Sequence, residues 1–140
     1  MTKMIFVNLP VEDVTRSIAF YEAMGAQKNP QFSSDDTACM VLSEAIYVMA
    51  MERPRFQTFT TRPLPDAHAT TGMLLAIMTD SREAVDAMIA AGAGAGGGPD
   101  PTPKQDLGFM YSRSVEDPDG HIWEVGWMDM AGMADAGHAA

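Results

Sequence analysis

The sequence predicts an α+β fold built from two tandem β-α-β-β-β modules within 140 residues. Three observations predict it. The stretch FVNLPVEDVTRSIAFYEAMGA (6–26) is echoed, without a gap, by MLLAIMTDSREAVDAMIAAGA (73–93), 67 residues later. Each copy reads as a strand, a capped helix and a glycine. After each helix come three short strand-like runs separated by turn-forming residues. A long period present twice marks a duplicated supersecondary unit, not a many-copy solenoid.

In the first copy, IFVNLPV is rich in β-branched and aromatic residues and ends at the acidic pair Glu12-Asp13, which reads as a strand. Asp13 is the expected N-cap. Val14, Ile18 and Tyr21 then recur at helical spacing, and Gly25 is the expected stop. Strands are expected over Gln27–Ser33, Thr37–Leu42 and Ile46–Glu52. In the second copy, Asp80 with Glu83 three residues on makes a capping-box pattern. Val85, Met88 and Ile89 form the apolar stripe of that helix, which Gly92 is expected to end. Its following strands are expected over Ala95–Pro99, Phe109–Val115 and His121–Met128, with DPDG turning the chain into the last one. Module one therefore spans about 3–53 and module two about 71–129, joined by a proline-bearing linker of about 54–70. The small, polar segment 130–140 is expected to be a frayed tail.

The totals exclude several classes. Apolar residues make up 46% of the chain and charged residues 20%, the balance of a globular protein. A formal charge of −10, with no basic stripe, argues against nucleic acid and anionic membrane as partners. No apolar run is long enough to span a membrane, and the N-terminus lacks a signal-peptide pattern. The lone Cys39 has no partner for an intramolecular disulfide. A cytoplasmic location is the expectation.

Other features carry less chemistry. The run GAGAGG (92–97) follows a helix and precedes prolines, so it is expected to be a flexible turn and not a nucleotide loop. Arg53, Arg55 and Arg62 are expected to be solvated linker residues. His68 and His138 are expected at the surface. Cys39 is expected to be a buried, inert thiol. Most of the thirteen methionines are expected to fill core space.

The opening FVNLPVEDVTRSIAFYEAMGA and the closing DPDGHIWEV together resemble the vicinal oxygen chelate superfamily. That group includes glyoxalase I, extradiol dioxygenases, and bleomycin and fosfomycin resistance proteins. The resemblance covers about residues 3–129. It implies that the paired modules curve into a half-open sheet barrel with helices outside, and that the protein is a homodimer with a ligand pocket at or near the interface. Enzymes of the family hold a divalent metal with His, Glu or Gln side chains on the first and last strands of each module. Residue by residue, those positions fall on Phe6, Met73, Glu124 and a residue near Val48. One carboxylate remains, so no metal is expected in the family manner. A rearranged site would have to combine Glu124 with Asn8 or Glu52. The reading is thus a protein that binds a small, partly apolar molecule, with Phe6, Asn8, Met73, Tyr111 and Glu124 as ligand-binding residues and no cofactor. Glu124 is also the candidate proton-transfer residue. The alternative is a metal-dependent lyase, isomerase or dioxygenase with a rearranged ligand set.

Overall fold

The computed structural model describes residues 3–129. The first module contains β1 (Ile5–Val11), α1 (Val14–Ala23), β2 (Gln27–Lys28), β3 (Thr37–Val41) and β4 (Ile46–Glu52). A short helix α2 (Arg53–Phe56) opens the linker. The second module contains β5 (Leu74–Met78), α3 (Arg82–Gly94), β6 (Gly98–Pro99), β7 (Gln105–Asp106), β8 (Met110–Glu116) and β9 (Ile122–Met128).

The strands form two sheets. One runs in the order β1-β4-β3-β2, the other β5-β9-β8-β6, with β7 also paired to β8. In each, the module's first strand lies parallel to its last strand and forms an edge. A parallel pair needs a crossover connection, and α1 or α3 supplies it. The sheets do not close into one barrel. The duplicated α+β architecture is as the sequence predicts.

Alternation along the strands decides which side chains are buried. Leu9, Val11, Val48, Ala50, Ala38 and Met40 turn to the helix side and are fully buried. In the second sheet Val115, Trp123 and Val125 do the same, with Leu75 and Ile77 packed against them. Both helix-facing sides contribute to one core, where Phe20 and Tyr21 of α1 and Met24 at its C-cap meet Val85 and Ile89 of α3.

The structure shifts the internal echo by one residue. Asp13 caps α1 as expected, its side chain accepting from Thr15 N at 2.9 Å. The second helix is capped by Ser81, not Asp80, with Ser81 Oγ accepting from Ala84 N at 3.0 Å. Caps 13 and 81 give an offset of 68. The same offset sets Val7 and Leu9 on Leu75 and Ile77, all turned toward the helices. With an offset of 67 the strand faces would be inverted.

Gly92 is not the helix stop. It lies inside α3, buried where the helices cross, and a Cβ there would stand 3.0 Å from Met24 Sδ and 3.1 Å from Phe20 Cε2. The chain leaves α3 at Gly96, whose φ of 99° matches Gly25 at 101° after α1. Gly97 comes closer still: a Cβ would lie 2.6 Å from Phe20 Cε2 and 2.7 Å from the Glu116 carbonyl oxygen. The glycine run is thus a tight turn beneath a core aromatic. Two expected strands shrink to two-residue bridges. Pro30 starts a 3-10 turn that ends the first, and glycine and proline limit the second.

The DPDG turn joins the modules. Buried Asp117 accepts from Tyr21 Oη at 2.7 Å, and Trp123 Nε1 donates to the same tyrosine oxygen at 3.0 Å. Asp117 Oδ1 accepts from the backbone N–H groups of Asp119 and His121. Burial outweighs these bonds and pushes the Asp117 carboxyl upward, and burial also pushes the Tyr21 phenol well up. Asp119 Oδ1 accepts from Glu12 N and pairs with Arg16 at 3.3 Å. His121 Nε2 lies 2.8 Å from the Pro10 carbonyl, which only accepts, so that nitrogen carries the proton.

The candidate binding faces

Each sheet has a second face, turned away from the helices. On the first, Phe6 stacks on its register partner Tyr47, with ring centroids 4.5 Å apart and planes 11° from parallel. Asn8 pairs in register with Met49. On the second sheet this open face carries Leu74, Ala76 and Met78 from β5 and Ile122, Glu124, Gly126 and Met128 from β9. A recess of about 270 Å³ lies there, with Met78, Met110 and Met128 around Glu124. Across the ladder Glu124 stands between Ala76 on β5 and Ser114 on β8. No hydrogen bond or ion pair to its carboxylate occurs among the described residues.

The five expected ligand-binding residues do not converge. Asn8 and Met73 line a different, largely apolar cavity of about 170 Å³ at the seam between modules, together with Phe56, His121 and Ile122. Phe6 forms the aromatic stack. Tyr111 belongs to the helix side, because it alternates with Ser112, and its hydroxyl donates to Asp86 of α3 at 2.7 Å. That bond pushes the Tyr111 phenol up and the Asp86 carboxyl down. Arg113 extends the network, pairing with Asp86 at 2.9 Å and Asp100 at 2.7 Å. Arg82 pairs with Asp106 at 2.8 Å, holds its carboxyl at about 2, and lies over the Tyr111 and Trp127 rings.

The structural register revises the family's metal positions. The shift of one residue puts Leu74, not Met73, opposite Phe6, and Met73 precedes β5. Val48 is fully buried on the helix side. The β4 equivalent of Glu124 is Met49, because Phe6 pairs with Tyr47 as Leu74 pairs with Ile122. The four positions therefore hold Phe6, Met49, Leu74 and Glu124: two hydrocarbon side chains, one thioether and one carboxylate. That set does not fit a divalent ion of this family, which needs about three oxygen or nitrogen donors from the protein. The rearranged set is dispersed as well. Glu52 Oε2 accepts from Val14 N at 3.1 Å and so serves α1, while Asn8 lines the seam cavity. Among the described residues, no group of three or more His, Cys, Asp or Glu side chains is placed to hold a metal.

Some side chains have more partners than their sequence context suggests. Arg53 is not merely solvated: it donates to the Leu64 and Pro65 carbonyls and clamps the linker. His68 Nε2 bonds to the Pro118 carbonyl at 3.1 Å. Both contacts close long loops, which residue spacing does not reveal. Cys39 is buried, and desolvation pushes its thiol up, as expected of an inert cysteine. His138 and the 130–140 tail lie outside the described residues. No helix among the described residues is long and apolar enough to cross a membrane.

Comparisons with known proteins agree with this architecture. The family model of the Glyoxalase/Bleomycin resistance protein/Dioxygenase superfamily matches residues 3–125. Among solved structures, a hypothetical protein from S. aureus superposes with a TM-score of 0.74 at 22% identity, covering 91% of this chain and 95% of its own. A glyoxalase-related enzyme from Fulvimarina pelagi gives 0.75 at 21% identity, covering 91% and 88%. The genomically encoded fosfomycin resistance protein of Listeria monocytogenes gives 0.64 at 17% identity, covering 91% and 93%. At these identities the likeness is one of fold. No curated protein matches the chain significantly.

Proposed function

Since the chain belongs to the glyoxalase/bleomycin resistance protein/dioxygenase superfamily, we propose that it binds a small, partly apolar molecule on the open faces of its sheets, without the family's divalent metal. The observation that carries this reading is the donor set Phe6, Met49, Leu74 and Glu124. Three of the four side chains that would grip an ion supply apolar surface instead. An aromatic stack and adaptable thioethers suit an apolar ligand body, and Glu124 remains to orient it.

The protein acts as a homodimer in this proposal. Ile5, Phe6, Leu74 and Met78 are about half exposed, at 57%, 49%, 47% and 50%. They lie on β1 and β5, the unpaired edges of the two sheets. Exposed apolar edge strands are surfaces that proteins cover. Light scattering should return twice the monomer mass.

The binding reading is tested by melting the purified protein with a panel of small apolar compounds, with and without chelator. Binders should raise the melting temperature, and chelator should leave that rise unchanged. A stoichiometric divalent ion that is lost in Glu124→Gln would overturn the metal-free reading.

A further inference from the structure

We propose that the recess beside Glu124 takes an organic cation, a small molecule with an apolar body and one protonated nitrogen. This rests on the reading that the open faces bind a partly apolar molecule, and it names the class that fits this face.

Among the described residues, Glu124 is the only charged side chain lining the recess. Its ladder neighbours give it no donor: Ala76 has none, and Ser114 Oγ is committed to Thr102. Gly126 leaves room for Met78 to lie flat on the sheet, within 3.2 Å of where a Cβ would stand. Met110 and Met128 complete apolar walls, and Ser112 and Gln105 add only neutral polar groups.

Such a recess discriminates by charge. A neutral apolar guest would cover the carboxylate without pairing it, at the cost of desolvating a charge. An anion would be repelled by Glu124 and by a chain of net charge −10. A divalent ion would find one hard oxygen ligand where it needs several. An ammonium or amidinium group offers N–H donors to Glu124, and its hydrocarbon body lies against the thioethers. The organic cation therefore occupies the electrostatic role that a metal holds elsewhere in the superfamily.

The test uses three probes of matched shape: 4-phenylbutylamine, 4-phenylbutan-1-ol and 4-phenylbutyrate, titrated calorimetrically into the full-length protein. The amine should bind about tenfold or more tighter than the alcohol, as a charge-assisted bond implies, and the acid should bind least. Glu124→Gln should abolish the amine's advantage over the alcohol and leave the circular dichroism spectrum unchanged. Equal affinity of all three for the wild type, or an amine preference that survives Glu124→Gln, would overturn the cation assignment while leaving an apolar binding face. Failure of all three to bind would overturn both readings.

Discussion

The two modules share a topology but are held together differently. Of the eighteen buried apolar residues among those described, thirteen belong to the first module and five to the second. Of the four described ion pairs, three lie within the second module and one joins the two. The first module is held by apolar burial. The second has fewer buried apolar side chains and instead carries Arg82 and Arg113 paired with aspartates, Arg82 lying over two aromatic rings. The two modules thus share a backbone plan and differ in the side-chain contacts that surround it.

The sharpest break of that contrast is at the place where both modules depend on one ring. Gly97→Ala drives a methyl group into Phe20 and into backbone oxygen. It should cost about 2–3 kcal/mol, and Phe20→Ala about 3–5 kcal/mol. Urea titration should show both modules losing stability together. Tyr21→Phe comes next. It strips the buried Asp117 carboxylate and Trp123 N–H of a shared partner, so about 1–3 kcal/mol should be lost.

Arg113→Met tests the second module alone. It removes two ion pairs but keeps the apolar stem, and about 1 kcal/mol should be lost. Hydrogen exchange should rise in β8 and α3 more than in β1, β3 or β4. Acid probes the same difference without mutation. The Asp86, Asp100 and Asp106 carboxyls are held low by hydrogen bonds from Tyr111, Arg113 and Arg82. Their contribution is complete above the ordinary aspartate range near 4 and is lost as pH falls toward about 2, where Asp106 titrates. Asp117 is shifted upward and has the opposite sign. Ionising it weakens the fold as pH rises from the ordinary range through its raised value, and acid relieves that burden. Exchange measured at pH 6 and pH 2.5 should therefore show the second module loosening first. Uniform loosening would remove the contrast.

The smallest stability effect is expected at Glu124, whose carboxylate meets no partner among the described residues. Glu124→Gln should stay within about 0.5 kcal/mol of the wild type. A larger loss would assign Glu124 a structural role.

Much of the fold was legible because strand alternation, caps and turns are local. Asp13 announced its helix, and DPDG announced the last strand. Register was harder to read. Glycine and aspartate identities favoured an offset of 67, but which strand face meets a helix is a tertiary fact, and it fixes 68. That single step moved the cap from Asp80 to Ser81 and the metal position from Met73 to Leu74. Each site position depends on strand parity, which local sequence does not fix. Tyr111 is one residue from Ser112, which lies on the open face, and that difference sent it to the helix side. The linkage of Arg53 to Leu64 and Pro65 had no local signal, because carbonyl acceptors are present in every residue.

The joint at DPDG has an evolutionary consequence. Asp117 answers to a tyrosine 96 positions earlier, and His121 to a carbonyl 111 positions earlier. Splitting the chain between the modules would part the Tyr21 phenol from Asp117 and His121 from the Pro10 carbonyl. Neither repeat is self-sufficient in this fold, and exchanging one for a foreign copy would require the matching turn or tyrosine to travel with it.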